Sequence, residues 1–344
     1  MLCSACPWHR VTGIAPLDFH KIAIYNQYMD TPSFSKPQTI GILAIDGFAL
    51  MSYASVAEPL RAANLLSGHD VYQITHFGSG KNCQSSSAAQ ILTDAKIGDF
   101  PRLDFLFVLA GGDPASFRDR QVLNWLAGYA RRGTVICGVS GGPVILAKAG
   151  LMAGRRMTVH WEHAAALAEV APDLKIERSL FVIDSNRITC AGGTAPMDLM
   201  HRLISDHHGP EFARRVSDWF LHTEIRPSSG AQRGGLVQRV GTTNAAVLDA
   251  VEMMDSHVSD PLTLDDLAGI SGKSKRQLNR LFGQNLGCTT MAYYRRIRLE
   301  KAQNLLRNSA LTLTEISLAT GYSSSSHFSR AYLAHYGRPP SQMR

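Results

Sequence analysis

The amino-acid sequence predicts an α/β domain with a doubly wound parallel sheet, followed by an all-α domain with two helix-turn-helix motifs. Apolar strand-like runs alternate with helical segments between Thr39 and His208, which is typical of a parallel sheet covered by helices on both faces. A stretch rich in Gly, Ser and Arg, Arg226–Gly241, then separates the two halves. The stretch Leu262–Pro340 finally contains one helical pattern twice.

The chain therefore divides into four predicted segments. Residues 1–37 carry little pattern and are expected to be a disordered extension, within which Met29 offers an alternative translation start. Residues 38–225 are expected to form the α/β domain, 226–243 a flexible linker and 244–344 the helical domain. With 344 residues, the chain is long enough for two separate hydrophobic cores.

Composition and charge restrict the class of protein. Hydrophobic residues make up 45% of the chain, no apolar run reaches the length of a membrane span, and the N-terminus lacks a signal-peptide pattern. Six cysteines without a regular spacing fit a reducing compartment, so we expect a cytoplasmic protein that does not contact membranes. Residues 245–344 hold 12 Lys and Arg against 8 Asp and Glu, as expected of a phosphate-binding surface. No cofactor or metal is predicted, because Cys3 and Cys6 lack a second ligand pair.

Strands of the first domain are predicted at apolar runs and helices at helical spacing of apolar residues. The predicted strands are Thr39–Ile45, Val71–Phe77, Leu103–Ala110, Thr134–Val139, Phe181–Ile183 and Arg187–Cys190. The predicted helices are Tyr53–Leu66, Val122–Arg131, Gly141–Ala149, Trp161–Val170 and Thr194–His208.

Three loops follow strands of this sheet, at the edge where open α/β sheets bind ligands. They are Gly111–Asp113, Gly138–Gly142 and His160–Glu162. The second loop, Gly-Val-Ser-Gly-Gly, matches the G-x-S-x-G elbow, which holds its serine outward over a helix N-terminus. The predicted ligand-binding residues are Gly112, Asp113, Ser140, Gly141, His160, Trp161 and Glu162.

Two interpretations of the serine and histidine in these loops stay open on the residues alone. Ser140 and His160 have the chemistry of a nucleophile and its base in a hydrolase. Alternatively, the glycines only permit a tight turn and His160 caps a polar group. Trp161 likewise either packs the helix that follows it or offers its face to a cation, for which Glu162 and Asp113 would supply negative charge.

Each copy of the C-terminal repeat has the pattern of a helix-turn-helix. A threonine N-cap begins a short helix, a glycine allows a left-handed turn, and a second helix carries inward-facing apolar residues. These residues are Thr263, Gly272, Leu278, Leu281 and Phe282 in the first copy, with Thr312 and Gly321 in the second. Arg280 and Arg330 are 50 positions apart and the turn glycines 49, so the copies are in register apart from one extra residue.

The outward faces of the two second helices carry side chains that can bind base edges and phosphates in a major groove. The predicted DNA-binding residues are Ser274, Lys275, Arg276, Gln277, Asn279, Arg280, Ser324, Ser325, Ser326, His327, Ser329 and Arg330. The alternative is a pair of ordinary helical hairpins with solvated polar faces. Two copies in register favour DNA binding over that alternative.

Residues 245–344 resemble the DNA-binding domain of the AraC family of bacterial transcription regulators. The matching residues include Leu267, Ala268, Gly272, Arg276–Leu278, Arg280–Phe282, Arg298, Leu299, Ile316, Gly321, Tyr322, His327–Arg330, Gly337 and Pro340. The resemblance implies two helix-turn-helices in adjacent major grooves, joined by one long helix at about Thr290–Arg307 with Ile297, Ala302, Leu305 and Leu306 in the core. Lys273 departs from the family, which usually has a buried aliphatic residue there.

Residues 39–222 resemble the class I glutamine amidotransferase-like superfamily, which implies a flavodoxin-like sheet. The matching features are Ala110–Gly112, the elbow, Leu146–Leu151, His160–Glu162 and Ala191–Thr194. Active members have a cysteine at the elbow and often a glutamate on the loop after the first strand. The corresponding positions here are Ser140 and about Ser52, so we expect the protein not to be an enzyme.

The whole chain resembles the amidotransferase-like branch of AraC-family regulators. This resemblance implies a homodimer that binds a small-molecule effector, a double-stranded DNA operator and RNA polymerase. Members respond to arginine, carnitine, glycine betaine and related nitrogenous metabolites and activate catabolic operons, so we expect a transcriptional activator. Two alternatives remain, namely an amidase or glyoxalase-type hydrolase with a DNA-binding tail, and a DNA-binding protein whose first domain only dimerises.

Overall fold

The computed structural model describes residues 36–343, so the predicted extension up to Ser35, with Cys3, Cys6 and Met29, lies outside the described residues. The strands are β1 (Gln38–Ala44), β2 (Tyr72–Gly78), β3 (Asn82–Gln84), β4 (Gln90–Leu92), β5 (Ala95–Lys96), β6 (Phe105–Ala110), β7 (Val135–Ser140), β8 (Arg156–Met157), β9 (Lys175–Ile176), β10 (Phe181–Asp184) and β11 (Arg187–Cys190). The helices are α1 (Leu50–Ser67), α2 (Arg120–Arg131), α3 (Gly142–Lys148), α4 (Trp161–Val170), α5 (Ala195–His208), α6 (Pro210–Trp219), α7 (Leu236–Val240), α8 (Ala245–Ser256), α9 (Leu264–Ile270), α10 (Lys275–Leu286), α11 (Thr290–Asn308), α12 (Leu313–Ala319) and α13 (Ser325–Tyr336). Short 3₁₀ helices lie at Pro114–Ser116 and Pro340–Met343.

A seven-stranded sheet forms the centre of the first domain, in the order β10-β11-β7-β6-β1-β2-β5. The order β2-β1-β6-β7-β11 within it is flavodoxin-like, which confirms the predicted fold class. Only β10 departs from the parallel direction, because Ser185 and Asn186 alone connect it to β11 and so short a connection reverses the chain. The carboxyl ends of β1, β6 and β7 therefore lie side by side at one edge.

Helices cover both faces of this sheet, as the alternating pattern predicts. On one face, α2 and α3 bury Trp125, Leu126 and Ile145 in a cluster with strand residues. On the other face, α1 and α5 contact each other and bury Leu60 and Met200. Each large apolar side chain that is buried contributes roughly 1.5–3 kcal/mol to the free energy of folding. The strands that carry the three loops are therefore held firmly by the helices on both faces.

Both predicted helix-turn-helices are present, as α9–α10 and α12–α13. Thr263 and Thr312 each form a capping box, with Asp266 and Glu315 as the reciprocal partners. The turn glycine of each copy has a positive φ, +61° in the first and +70° in the second. The first motif is built around a core that includes Phe282 and the second around one that shares residues of α11. Helix α11 agrees with the predicted linking helix to within one residue.

The segment expected to be a flexible linker makes specific contacts at Arg226 and contains a short helix near its end. Arg226 donates hydrogen bonds to the Asp198 carboxylate from its backbone N–H at 2.8 Å and from its Nη2 at 2.6 Å, and that carboxylate is fully buried. Residues Leu236–Val240 then form the short helix α7. A high glycine content indicates a flexible backbone. It does not predict the hydrogen bonds that the polar residues between the glycines form.

None of the described helices combines the length and the apolar character that crossing a lipid bilayer requires.

Candidate effector site and DNA-binding surface

Ser140 ends β7 in the strained backbone geometry expected of an elbow. Its φ is +60°, in the left-handed region that residues other than glycine rarely adopt. A side chain at Gly142, where α3 begins, would overlap the Val108 carbonyl of the neighbouring strand, and one at Gly192 would lie 2.6 Å from the Ser140 Cβ. These glycines therefore allow the loops to meet around Ser140, which is only 6% exposed.

The geometry around Ser140 lacks the arrangement of a hydrolase. Among the described residues, no hydrogen bond joins the Ser140 Oγ to the His160 ring, and the His160 backbone N–H donates to the Ser140 carbonyl at 3.3 Å. The His160 Nδ1 accepts from the Glu162 N–H at 3.4 Å, and burial lowers the pKa of this imidazole. The neutral ring of His160 thus caps α4, which supports the non-catalytic interpretation of this residue.

Two further residues differ from the pattern of active amidotransferase-like enzymes. Ser52, matched to the glutamate of those enzymes, lies within α1 rather than on a loop, and its buried Oγ accepts from the Gly193 N–H at 2.9 Å. Cys137 is buried inside β7, where burial raises the pKa of its thiol well above the usual value. Neither residue supplies an orienting acid or a reactive thiolate at the elbow.

Trp161 begins α4 and keeps 44% of its surface exposed, so helix packing does not use the whole ring. The Arg233 guanidinium lies over this ring, 4.6 Å from its centroid. Glu162 follows in the chain with a partly exposed carboxylate, whose Oε2 is 4.0 Å from the His160 Nδ1. An exposed aromatic face next to a carboxylate is an arrangement that binds cations.

The remaining predicted ligand-binding residues lie on the loops beside the elbow. The Gly141 N–H donates to the Ala110 carbonyl at 3.0 Å, which ties the elbow to the loop containing Gly112. Asp113 is exposed, and its Oδ1 accepts from two amides of the 3₁₀ helix, so this carboxylate serves as a helix cap. Sequence reasoning missed Arg233 because the pattern of a Gly-rich segment does not indicate which distant side chain it will contact.

The predicted DNA-binding side chains lie on exposed or half-exposed positions of α10, α13 and their caps. Arg276, Arg280 and Arg330 are exposed and form no ion pair with the described residues. Such arginines can bind phosphates or guanine edges without first breaking an internal contact.

Other predicted DNA-binding residues already have structural partners. Ser274 and Gln277 form the capping box of α10, and the Ser324 Oγ accepts from the His327 N–H at 3.2 Å. The Asn279 side-chain oxygen accepts from the first amide of α11, at Thr290, at 3.1 Å. These side chains stabilise α10 and α13, the second helix of each motif. Spacing in the sequence does not distinguish this structural role from contact with a base.

The candidate effector site and the DNA-binding domain touch directly. The Asn304 Nδ2 on α11 donates to the Glu162 carbonyl on α4 at 2.6 Å. Ala166 of α4 is buried in the same apolar cluster as Leu305 and Phe328 of the second helix-turn-helix. Helix α11 also contacts the 3₁₀ helix that Asp113 caps. The linking helix therefore rests on two of the elements that surround the elbow.

Comparisons with known proteins support this two-part organisation. Residues 267–344 match the model of a helix-turn-helix domain, and residues 38–206 match the model of the DJ-1/PfpI family. The chain is 41% identical over 309 residues to the HTH-type transcriptional regulator GlxA of Rhizobium meliloti, covering 89% of this chain and 95% of that protein. The chain belongs to the AraC family of transcription regulators.

A second regulator and a solved structure are also similar to this chain. The HTH-type transcriptional regulator GbdR of Pseudomonas aeruginosa is 37% identical over 314 residues, covering 91% of this chain and 86% of that regulator. A crystal structure of a THiJ/PfpI family protein from Pseudomonas syringae superposes with a TM-score of 0.51 at 22% identity, covering 77% of this chain and 98% of that one. The latter similarity concerns the fold alone. This AraC-family chain thus joins a DJ-1/PfpI domain to a DNA-binding domain.

Proposed function

We propose that this AraC-family regulator activates transcription when a small nitrogen-containing cation binds at the elbow edge of its first domain. The observation that carries the proposal is the exposed face of Trp161, which already attracts the cation of Arg233 at 4.6 Å. The site lies at the carboxyl ends of parallel strands, where such sheets bind ligands. The resemblance to regulators that respond to arginine, carnitine or glycine betaine supports the same chemical class of effector.

The proposed site is the full set of predicted residues, and it binds without catalysing a reaction. Trp161 and Glu162 attract the cationic group, while the loops around Ser140 receive the remainder of the molecule. The neutral, capping His160 and the absence of a hydrogen bond to the Ser140 Oγ within the described chain support a binding role. The other members of the set are Gly112, Asp113 and Gly141.

The second half of the proposal concerns DNA. Helices α10 and α13 enter adjacent major grooves of an operator, with Arg276, Arg280 and Arg330 as the side chains most available to it. The first domain pairs two chains, which places two DNA-binding domains over two half-sites. The contact between α4 and α11 supports a route from the bound effector to the DNA-binding domain and from there to RNA polymerase.

Calorimetric titration of the purified protein with glycine betaine, carnitine and arginine tests the effector site. We expect Trp161→Leu to weaken binding of the active compound by roughly two- to thirtyfold, the range of a cation–aromatic contact. Trp219→Leu is the matched control, because Trp219 is similarly exposed at 51% but lies at the end of α6. Equal affinities of Trp161→Leu and the unaltered protein would refute the site.

Activation is tested separately by transcription from a promoter fragment selected from genomic DNA with the purified protein. RNA polymerase should initiate more often when the protein and the bound compound are both present. A decrease in initiation would reassign the protein as a repressor while leaving the effector site intact.

A further inference from the structure

The segment that leads out of the first domain is anchored across the candidate effector site. The Gln232 Nε2 donates to the Ser179 carbonyl at 2.8 Å, to the Thr158 Oγ1 at 3.0 Å and to the Val159 carbonyl at 3.1 Å. The Thr158 side chain is fully buried, so Gln232 reaches into the domain rather than over its surface. The next residue along the chain is Arg233.

Arg233 places a positive charge on the surface proposed for the effector. Its guanidinium is 4.6 Å from the Trp161 ring centroid, and Arg233 forms no ion pair within the described chain that would otherwise explain its position. A quaternary ammonium or guanidinium ligand would need the same aromatic face. Two cations cannot occupy that face together, because both would lose hydration and repel each other.

The same segment continues directly into the DNA-binding domain. Gly234 and Gly235 separate Arg233 from α7, and Leu236 and Val240 of α7 pack against the core of the first helix-turn-helix. Release of Arg233 would leave two glycines and an unanchored turn between Gln232 and α7. Such a change would loosen one connection between the domains while the Asn304 contact to α4 remains.

We propose that Arg233 is an internal competitor of the effector, and that binding of a cationic effector at Trp161 displaces Arg233 and frees the glycine segment that leads into α7. This inference rests on the proposed effector site. An exposed cation–aromatic pair lowers the apparent affinity of a competing cation by about three- to sixfold, since only the fraction of molecules with a free ring can bind. The competition therefore sets the effector concentration at which the protein responds. It also makes the site select effectors that carry a positive charge.

The test compares full-length Arg233→Ala with the unaltered protein by calorimetric titration with glycine betaine, carnitine and arginine. The dissociation constant of the binding compound should fall by about three- to sixfold in Arg233→Ala. Arg239→Ala is the matched control, because Arg239 lies in the same segment but pairs with Asp255, and its dissociation constant should not change. Trp161→Leu should bind weakly whether or not Arg233 is present.

Amide hydrogen exchange tests the loss of the Arg233 contact in Arg233→Ala without any added ligand. The amides of Arg239 and Gly241 donate within α7, to the carbonyls of Gly235 and Val237. They should exchange faster in Arg233→Ala alone, and faster in the unaltered protein once the compound is added. Arg239→Ala keeps the Arg233–Trp161 contact and should show the same ligand-induced increase as the unaltered protein, whereas Trp161→Leu should show none when the compound is added.

The outcomes distinguish this inference from the proposal on which it rests. Binding that depends on Trp161 but is equal in Arg233→Ala and the unaltered protein overturns the competition and leaves the effector site standing. An unchanged exchange rate in α7 overturns the release. If none of the three compounds binds any of these proteins, the cation site itself fails and the competition fails with it.

Discussion

At the scale of the residue, the proposed effector site requires that Ser140 takes part in binding and not in covalent chemistry. Its hydroxyl has no histidine partner among the described residues, so alanine at this position removes at most one hydrogen bond to a ligand, worth about 1 kcal/mol. We expect Ser140→Ala to keep effector binding within about tenfold and to keep transcriptional regulation. Ser140→Trp should abolish the effector response, because the indole would occupy the space that the effector needs between the loops around Ser140. DNA binding should persist.

Calorimetric titration and gel shifts of both Ser140 variants check this expectation, with circular dichroism to confirm that each is folded. A complete loss of the response in Ser140→Ala would instead indicate covalent chemistry at the hydroxyl. Ser140 has a positive φ, so a bulky tryptophan is more strained at this position than alanine. The circular dichroism of Ser140→Trp is therefore the more important of the two folding controls.

At the scale of the element, α4 joins the proposed effector site to the DNA-binding domain and carries the titratable residue His163. His163 is buried at 6% exposure, burial lowers its pKa, and the charges of Glu162 and Asp113 oppose the decrease. A histidine whose pKa is lowered on folding contributes stability that is fully present above about pH 6.5 and is lost as the pH falls towards the folded value.

We therefore expect the protein to lose stability below about pH 6.5, and His163→Gln to reduce this dependence by up to about 1.4 kcal/mol per pH unit. Chemical denaturation at a series of pH values measures the slope. His335→Gln is the control, because His335 is exposed on α13. Two half-buried histidines, His201 and His207, also have pKa values lowered by burial, so the slope should shrink rather than vanish. An unaltered slope in His163→Gln would contradict the prediction.

The recognition helices give a second prediction at this scale. Arg280 and Arg330 occupy equivalent exposed positions on α10 and α13. Alanine at either should weaken operator binding and leave the fold intact. A lost base contact would relax one operator position by about 1–3 kcal/mol, whereas a lost phosphate contact would weaken all sequences and reduce the salt dependence. Gel shifts across salt concentrations separate these cases, and Arg202→Ala on α5 serves as the control.

Elements defined by local signals were predictable, and contacts between distant residues were not. Helix α4 has the predicted bounds, and Thr263 and Thr312 are N-caps as predicted, because an N-cap and the amide that donates to it are three positions apart. The hydrogen bond from Asn304 to Glu162 joins residues 142 positions apart, and the Arg233–Trp161 contact is similarly remote in sequence. Ser52 was placed on a loop because a match to a family motif does not show where α1 begins.

At the scale of the whole molecule, the two domains are more closely connected than a flexible linker would allow. The buried Asp198 carboxylate holds Arg226, α4 packs against α11, and α7 belongs by its contacts to the DNA-binding domain. We therefore expect an effector at the proposed site to act on a preformed interface rather than through a flexible linker. The natural boundary of the DNA-binding domain consequently lies before α7, at about Gly234.

The last prediction concerns what the first domain adds to DNA binding. We expect the fragment 234–344 to bind the operator more weakly than the full chain, by about 10²–10⁴-fold, because pairing of two first domains holds the second DNA-binding domain at a high effective concentration. Including α7 in the fragment keeps Leu236 and Val240 on the core of the first helix-turn-helix. Gel-shift titrations of both proteins at one salt concentration measure the difference, and circular dichroism confirms that the fragment is helical. Equal affinities would mean that the first domain does not pair chains on DNA.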